Sequence, residues 1–193
     1  MTLRSLFLAL TLAFASSCIF DTRTPDNPAE PSANYKPPTE ATDVFLNMAN
    51  AFADKNVLNY RKSFADSATA GRSFAFEPTS QSLSKYGVFV GWSRQSEEQY
   101  FNNITVQLQP LSAPSLLFTF GTQSVSSDSA FFEGSYQLTV PHTKSSVPQI
   151  SLGQVQFYLL KDNIQNWVIW RWVDLPNQQG DFTWSDLKGE FGQ

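Results

Sequence analysis

The chain has 193 residues and a formal net charge of -4, and 41% of its residues are hydrophobic, which is enough for one domain with a well-filled core. Mild acidity without a basic stripe excludes a typical nucleic-acid-binding protein. One cysteine and one histidine exclude an intramolecular disulfide and a His/Cys zinc site within one chain. We find no motif for a cofactor, a phosphate or a Ser/His/Asp set, and we expect neither cofactor nor metal ion.

Residues 1–17 predict a secretion signal. A positive end at Arg4 precedes an apolar run that is too short to cross a bilayer as a permanent helix. Small residues then lead directly into Cys18, which resembles the lipobox of bacterial lipoproteins, although Ala15 stands where Leu is preferred. The resemblance implies that the signal is cut before Cys18 and that Cys18 is acylated and attaches the chain to a membrane. The alternative is ordinary cleavage after Ala15, which leaves Cys18 as an incidental thiol.

Residues 18–38 predict a disordered tether, because repeated prolines and few packing residues leave too little apolar surface to fold. A coil of this length spans about 25 Å, enough to hold a domain off a lipid surface. We expect a lipid-anchored protein of the bacterial cell envelope. Ile19, in place of an acid after the cysteine, favours the outer membrane by analogy with enteric bacteria.

Residues 39–193 predict a single α+β domain that begins with helices. Apolar residues at helical spacing predict one helix over residues 44–52 and a shorter one over residues 57–64. A brief strand follows near Phe76, and Ser93 caps a further helix. The alternation of Ile104, Val106 and Leu108 with polar residues predicts a half-exposed strand.

The second half of the chain predicts antiparallel strands. Residues 116–125 and 130–140 form one pair, in which Gly134 marks a bulge. Residues 153–174 predict a hairpin in the middle of the sheet, because both of its faces are largely apolar. On its second strand, simple alternation places Trp170, Trp172 and Asp174 on one face. Thr183 and Asp186 resemble a capping box that opens a short closing helix.

This order of elements resembles the nuclear transport factor two-like fold, also called SnoaL-like or ketosteroid isomerase-like. The resemblance is carried by two N-terminal helices, the aromatic segment from Phe64 to Phe76, the helix after Trp92 and the closing run WVIWRWVD over residues 167–174, and it covers about Thr39 to Trp184. It implies helices on a curved antiparallel sheet, a conical shape with a pocket between the two layers, and pairing of domains through the outer sheet face. A cystatin-like fold is the alternative.

Enzymes of this superfamily place a carboxylate or a histidine in the apolar pocket. His142 falls in an expected exposed loop, and Asp174 fits a structural role, held by Arg171 or a backbone amide, better than that of a general base. We therefore assign no catalytic residue. Aromatic walls with a few polar tips suit a small hydrophobic ligand, unless the rings simply fill the space. The candidate pocket residues are Tyr60, Phe64, Trp92, Tyr136, Trp170, Trp172 and Asp174.

The sequence thus predicts a lipid-anchored envelope lipoprotein with a non-catalytic binding or assembly domain. One alternative is an isomerase or lyase that acts on a small hydrophobic substrate with a buried carboxylate. Another is a soluble secreted module that forms a homodimer through the outer sheet face.

Overall fold

The computed structural model describes residues 34–193. The predicted signal, Cys18 and the tether up to residue 33 lie outside the described residues. Residues 34–38, which the sequence assigns to the tether, lie against the first helix. The backbone N–H of Lys36 donates to Asn47 Oδ1 at 3.0 Å, and Asn47 Nδ2 donates to the Lys36 carbonyl at 2.6 Å. The ordered contacts therefore begin before residue 39.

Six α-helices are described, and their ends follow local signals. The first helix, Asp43–Asp54, ends at Lys55, which adopts a left-handed conformation with φ of 57°. Ser93 and Thr183 each accept a hydrogen bond from a backbone N–H three residues later, as predicted. The helices are α1 (Asp43–Asp54), α2 (Val57–Lys62), α3 (Ser67–Ala70), α4 (Ser80–Lys85), α5 (Arg94–Val106) and α6 (Trp184–Phe191), and a 3₁₀ turn spans Gly87–Phe89.

Within residues 34–193, five strands form one sheet in the order β1-β5-β4-β3-β2. All neighbouring strands are antiparallel except β1 and β5, which are parallel. The predicted hairpin is β4–β5 and lies at the middle of the sheet. The α+β class, with helices on a largely antiparallel sheet, is confirmed. The strands are β1 (Ala75–Glu77), β2 (Ser115–Val125), β3 (Ser129–Thr139), β4 (Ile150–Lys161) and β5 (Trp167–Leu175).

The predicted strand near Ile104 is wrong, because α5 continues through Val106. Tyr100, Phe101 and Ile104 follow helical spacing and are all 0% exposed, whereas Val106 is 78% exposed. Burial of this helical face outweighs the short alternating pattern.

The predicted bulge occurs next to the pair that contains Gly134, but its extra residue lies in the partner strand. The irregularity between β2 and β3 lies in β2, between Phe120 and Thr122. Gly134 pairs with Phe120, and a Cβ on Gly134 would lie 2.2 Å from the Thr119 carbonyl oxygen. Glycine is required there by close backbone contact.

A second bulge decides which side chains of β5 face the helices. Tyr158 pairs with Arg171 and Leu159 with Ile169, so that Trp170 is left unpaired. Ile169 and Trp172 are both 0% exposed, and Trp170 contacts Tyr158 instead, at 5.8 Å between ring centroids. The expectation that Trp170 and Trp172 share a face is therefore wrong, since the extra residue shifts the alternation.

The core lies between the helices and the inner face of the sheet and is rich in aromatic rings. Phe45 of α1, for example, contacts Phe120 of β2 at 4.5 Å and Phe132 of β3 at 4.9 Å between centroids. Burial of these rings is the main source of stability. None of the helices within residues 34–193 has the length and apolarity that crossing a membrane requires.

Candidate functional site

A buried ion pair joins α5 to α6 inside the domain. Glu97 and Lys188 are both 0% exposed, and Lys188 Nζ donates to Glu97 Oε1. Trp92 Nε1 donates to the same oxygen at 2.6 Å, and the Tyr60 hydroxyl donates to Oε2 at 2.8 Å. The carboxylate thus accepts hydrogen bonds from three different side chains.

Aromatic rings surround the ammonium group of Lys188. Its Nζ lies 3.5 Å from the ring centroid of Trp172 and 3.6 Å from that of Phe76. Burial lowers the pKa of Lys188 to about 8, and the charge of Glu97 opposes this decrease. Burial and the neighbouring Glu97 raise the pKa of Tyr60 well above its ordinary value. Cation–π contacts and one carboxylate therefore replace water around this lysine.

A second polar cluster surrounds Asp174 near the end of β5. Its Oδ1 accepts from the Tyr136 hydroxyl at 2.9 Å, and its Oδ2 accepts from the Ser185 N–H at 2.7 Å and the Ser185 hydroxyl at 2.5 Å. Burial raises the pKa of Asp174 to about 6, although these hydrogen bonds oppose the increase. Asp174 therefore joins β3, β5 and the first turn of α6.

Arg171, the other partner expected for Asp174, lies elsewhere. It forms a two-pronged ion pair with Glu77 of β1, at 2.6 and 3.0 Å. The backbone amide partner foreseen from the sequence is the N–H of Ser185.

The structure brings together six of the seven candidate pocket residues and leaves Trp170 outside. Their neighbour Trp184, at the start of α6, is 0% exposed and lies 4.4 Å from the Trp172 ring centroid. Its Nε1 donates to the Tyr100 hydroxyl at 3.0 Å. Trp184 thus occupies the space between helices and sheet where a pocket was expected. The six are Tyr60, Phe64, Trp92, Tyr136, Trp172 and Asp174, and each is at most 7% exposed.

Sequence reasoning missed Glu97, Lys188 and Trp184. The capping box at Thr183 and Asp186 predicted a helix there, but not which of its sides enters the core. A lysine carries no local signal of burial, because its usual place is the surface.

His142 is 1% exposed, so the expected exposed loop is wrong at this residue. A backbone bridge to Leu108 holds it, its ring lies 5.1 Å from that of Phe191, and its Nε2 lies 3.2 Å from the Pro148 carbonyl. Within residues 34–193, His, Cys, Asp and Glu side chains form no group of three or more that is suited to a metal ion.

The outer face of the sheet, turned away from the helices, carries two distinct surfaces. At one end is a groove of about 610 Å³ with Phe131, Tyr158 and Trp170 in its floor. At the other end is an exposed apolar patch made of Leu117 and Ile150, which are 63% and 50% exposed, together with Leu152, which is 39% exposed.

Comparison of the sequence with protein-family models and with curated proteins finds no match. Solved structures do match the fold. A protein from Kribbella flavida has a TM-score of 0.52 at 10% identity over 77% of this chain and 94% of its own. A protein of unknown function from Mycobacterium tuberculosis has a TM-score of 0.51 at 15% identity over 72% of this chain and 70% of its own.

A third match is a nuclear transport factor two-like superfamily protein from Salmonella enterica, with a TM-score of 0.50 at 14% identity over 72% of this chain and 90% of its own. Helices on one face of a largely antiparallel sheet, with polar clusters sealed between them, define an α+β domain with a filled interior. Its fold is the nuclear transport factor two-like fold, as the resemblance implied. At these identities the likeness concerns the fold alone.

Proposed function

We propose that this protein is a lipid-anchored bacterial envelope protein whose domain binds or assembles without catalysis. The observation that supports this function is the filled interior. Glu97 and Asp174 are both 0% exposed, and each already accepts three hydrogen bonds. A general base must reach a substrate proton, and here protein donors take that place.

The filled interior is tested with benzene, which enters apolar cavities in proteins. We expect that benzene leaves the indole NMR signals of the folded wild type unchanged. Trp184→Ala removes a 0% exposed ring and serves as the control that opens a cavity, so its core signals are expected to shift with benzene. Saturable shifts in the wild type would instead show an open cavity and remove the observation on which the non-catalytic function rests.

The anchoring rests on the short apolar signal, Cys18 and the proline-rich tether. We expect that cells incorporate labelled fatty acid into the wild type and into Ser17→Ala, which keeps the thiol. Cys18→Ser should carry no label. Absence of label on the wild type would contradict the anchoring and favour a soluble secreted domain.

The isomerase or lyase alternative draws on one observation, the pKa of Asp174 of about 6, which is within the useful range for acid–base chemistry. A carboxyl group that is 0% exposed and bonded to Tyr136 and Ser185 weighs against it. A wild type that takes up no benzene would weigh further against this alternative, because a small hydrophobic substrate then has no cavity to enter.

A second candidate, homodimer formation, is favoured by the exposed apolar patch of Leu117, Ile150 and Leu152. Exposed apolar residues on a sheet face are typical of interfaces, and a two-fold axis would place the same patch on both subunits. We expect sedimentation to show a dimer that Leu117→Ser dissociates. A monomer at high protein concentration would exclude this candidate.

A further inference from the structure

The groove at the aromatic end of the outer sheet face, here called the outer groove, is built from three parts. The loop from Ala70 to Arg72 forms one wall, and the β2–β3 turn with Asp128 forms the other. The floor is formed by side chains of β3, β4 and β5. Its volume of about 610 Å³ lies within the range of ligand sites in proteins.

Three aromatic rings on adjacent strands form most of the floor. The ring centroids of Phe131 and Tyr158 are 5.0 Å apart, and those of Tyr158 and Trp170 are 5.8 Å apart. All three side chains are partly exposed. The bulge in β5 is what places Trp170 in this row. Strand-borne rings give a rigid apolar surface that requires little ordering when a ligand binds.

The walls supply charged groups that form no ion pair with the described residues. The guanidinium of Arg72 lies 4.1 Å from the Trp170 ring centroid, and it forms no ion pair within residues 34–193. The carboxylate of Asp128, on the opposite wall, likewise has no cationic partner among the described residues. Arg171, by contrast, is neutralised by Glu77.

The formal charges of Arg72 and Asp128 cancel across the outer groove. A charged ligand would therefore be repelled by one of these groups and attracted by the other. An uncharged ligand with many hydroxyl groups could accept hydrogen bonds from the Arg72 guanidinium and donate them to the Asp128 carboxylate. The hydroxyl groups of Ser124, Ser126 and Ser129 add further donors and acceptors along the turn.

We propose that the outer groove binds a neutral carbohydrate chain. The apolar C–H groups of a sugar ring would contact the floor rings beside the guanidinium groups of Arg72 and Arg171, which lie over Trp170 and Tyr158. Its adjacent hydroxyl groups match the paired atoms of Arg72 and Asp128. This inference rests on the proposed function, because it names the ligand class of a domain that binds without catalysis.

The test is calorimetric titration of the full chain with three neutral tetrasaccharides: β-1,4-linked glucose, β-1,4-linked N-acetylglucosamine and α-1,4-linked glucose. We expect at least one to bind. Trp170→Ala should weaken that binding about tenfold, the loss expected from one aromatic contact. Arg72→Gln and Asp128→Asn change only exposed polar groups and should weaken it with the melting temperature unchanged. Leu83→Ser, an exposed position of α4 that does not line the outer groove, is the control and should bind as the wild type does.

The expected preference for uncharged chains is tested separately. A tetrasaccharide of α-1,4-linked galacturonate should bind no more tightly than the neutral chains. Tighter binding of that anion would overturn the assignment to neutral sugars.

Three other results would overturn the proposal. One is the absence of binding heat with all three neutral chains. Another is equal affinity in the wild type and in the Arg72→Gln and Asp128→Asn variants. The third is a dimer that these two variants dissociate, which would assign the outer groove to a second copy. None of these results bears on the benzene experiment or on the labelling of Cys18. Failure here is thus distinguishable from failure of the proposed function.

Discussion

Replacing Glu97 with Gln removes the anionic partner of a lysine that has no contact with water. Lys188 is 0% exposed, and its Nζ is enclosed by Glu97 and by the rings of Trp172 and Phe76. A buried charge that loses its partner typically costs about 3 to 5 kcal/mol of unfolding free energy. We expect a loss of this size for Glu97→Gln at pH 7, and a similar loss for Lys188→Met.

The structure supports this magnitude through the pKa of Lys188. Burial lowers it from 10.5 to about 8 even with Glu97 present. The difference corresponds to a net cost of about 3 kcal/mol for keeping the ammonium charged in the core. Without Glu97 the compensating attraction is lost, so the pKa of Lys188 should fall further.

The assay is urea unfolding of four proteins: the wild type, both single variants and the double variant Glu97→Gln/Lys188→Met. The double variant removes both charges, so we expect its loss to be well below the sum of the single losses, with a coupling of about 2 to 3 kcal/mol. Glu98→Gln is the control, because Glu98 is 32% exposed in its ion pair with Arg61 and should contribute less than about 1 kcal/mol. Single losses that add up in the double variant would refute the reasoning.

The sign of the pH dependence provides a second check. Because the pKa of Lys188 is lower in the folded state, the unfolded chain binds more protons between about pH 8 and 10, and Lys188 makes stability rise with pH in this window. In Glu97→Gln the rise should begin at lower pH. A stability that falls between pH 8 and 9.5 in Glu97→Gln would contradict the burial of the charged amine.

Three further predictions concern other parts of the domain. The NMR signal of the Asp174 carboxyl carbon should titrate near pH 6. Because the pKa of Asp174 is raised on folding, its contribution to stability should be present in acid and lost as the pH rises through about 6. Titration near pH 4 would contradict the burial of this carboxyl group. Gly134→Ala should lower the unfolding free energy by about 1 to 3 kcal/mol, because its Cβ would lie 2.2 Å from the Thr119 carbonyl oxygen. Gly121→Ala has open space around the new Cβ and should cost far less. Equal losses in urea unfolding would show that the close contact at Gly134 does not matter. Thr183→Ala should cost about 1 kcal/mol by removing the cap of α6, and an unchanged urea midpoint would show that the cap is dispensable.

Local patterns in the sequence were sufficient to predict most of the secondary structure. The caps at Ser93 and Thr183 depend only on near neighbours in the chain, and the structure has both of them. The signal and the acylation of Cys18 also come from local patterns and stay predictions. Information of this kind is available from the sequence because caps and periodicity act over a few residues.

The tertiary structure decided what faces the core. Glu97 and Lys188 are 91 residues apart in sequence, and no local rule brings them together. One extra residue in β5 turned Trp170 outward, and the packing of α5 made Ile104 helical. Alternation along a strand is reversed by a single bulge, and the burial of a charge depends on partners that only the folded chain supplies. The sequence by itself therefore determined the caps and most of the elements of this domain, whereas the contacts between them determined which side chains are buried in its interior.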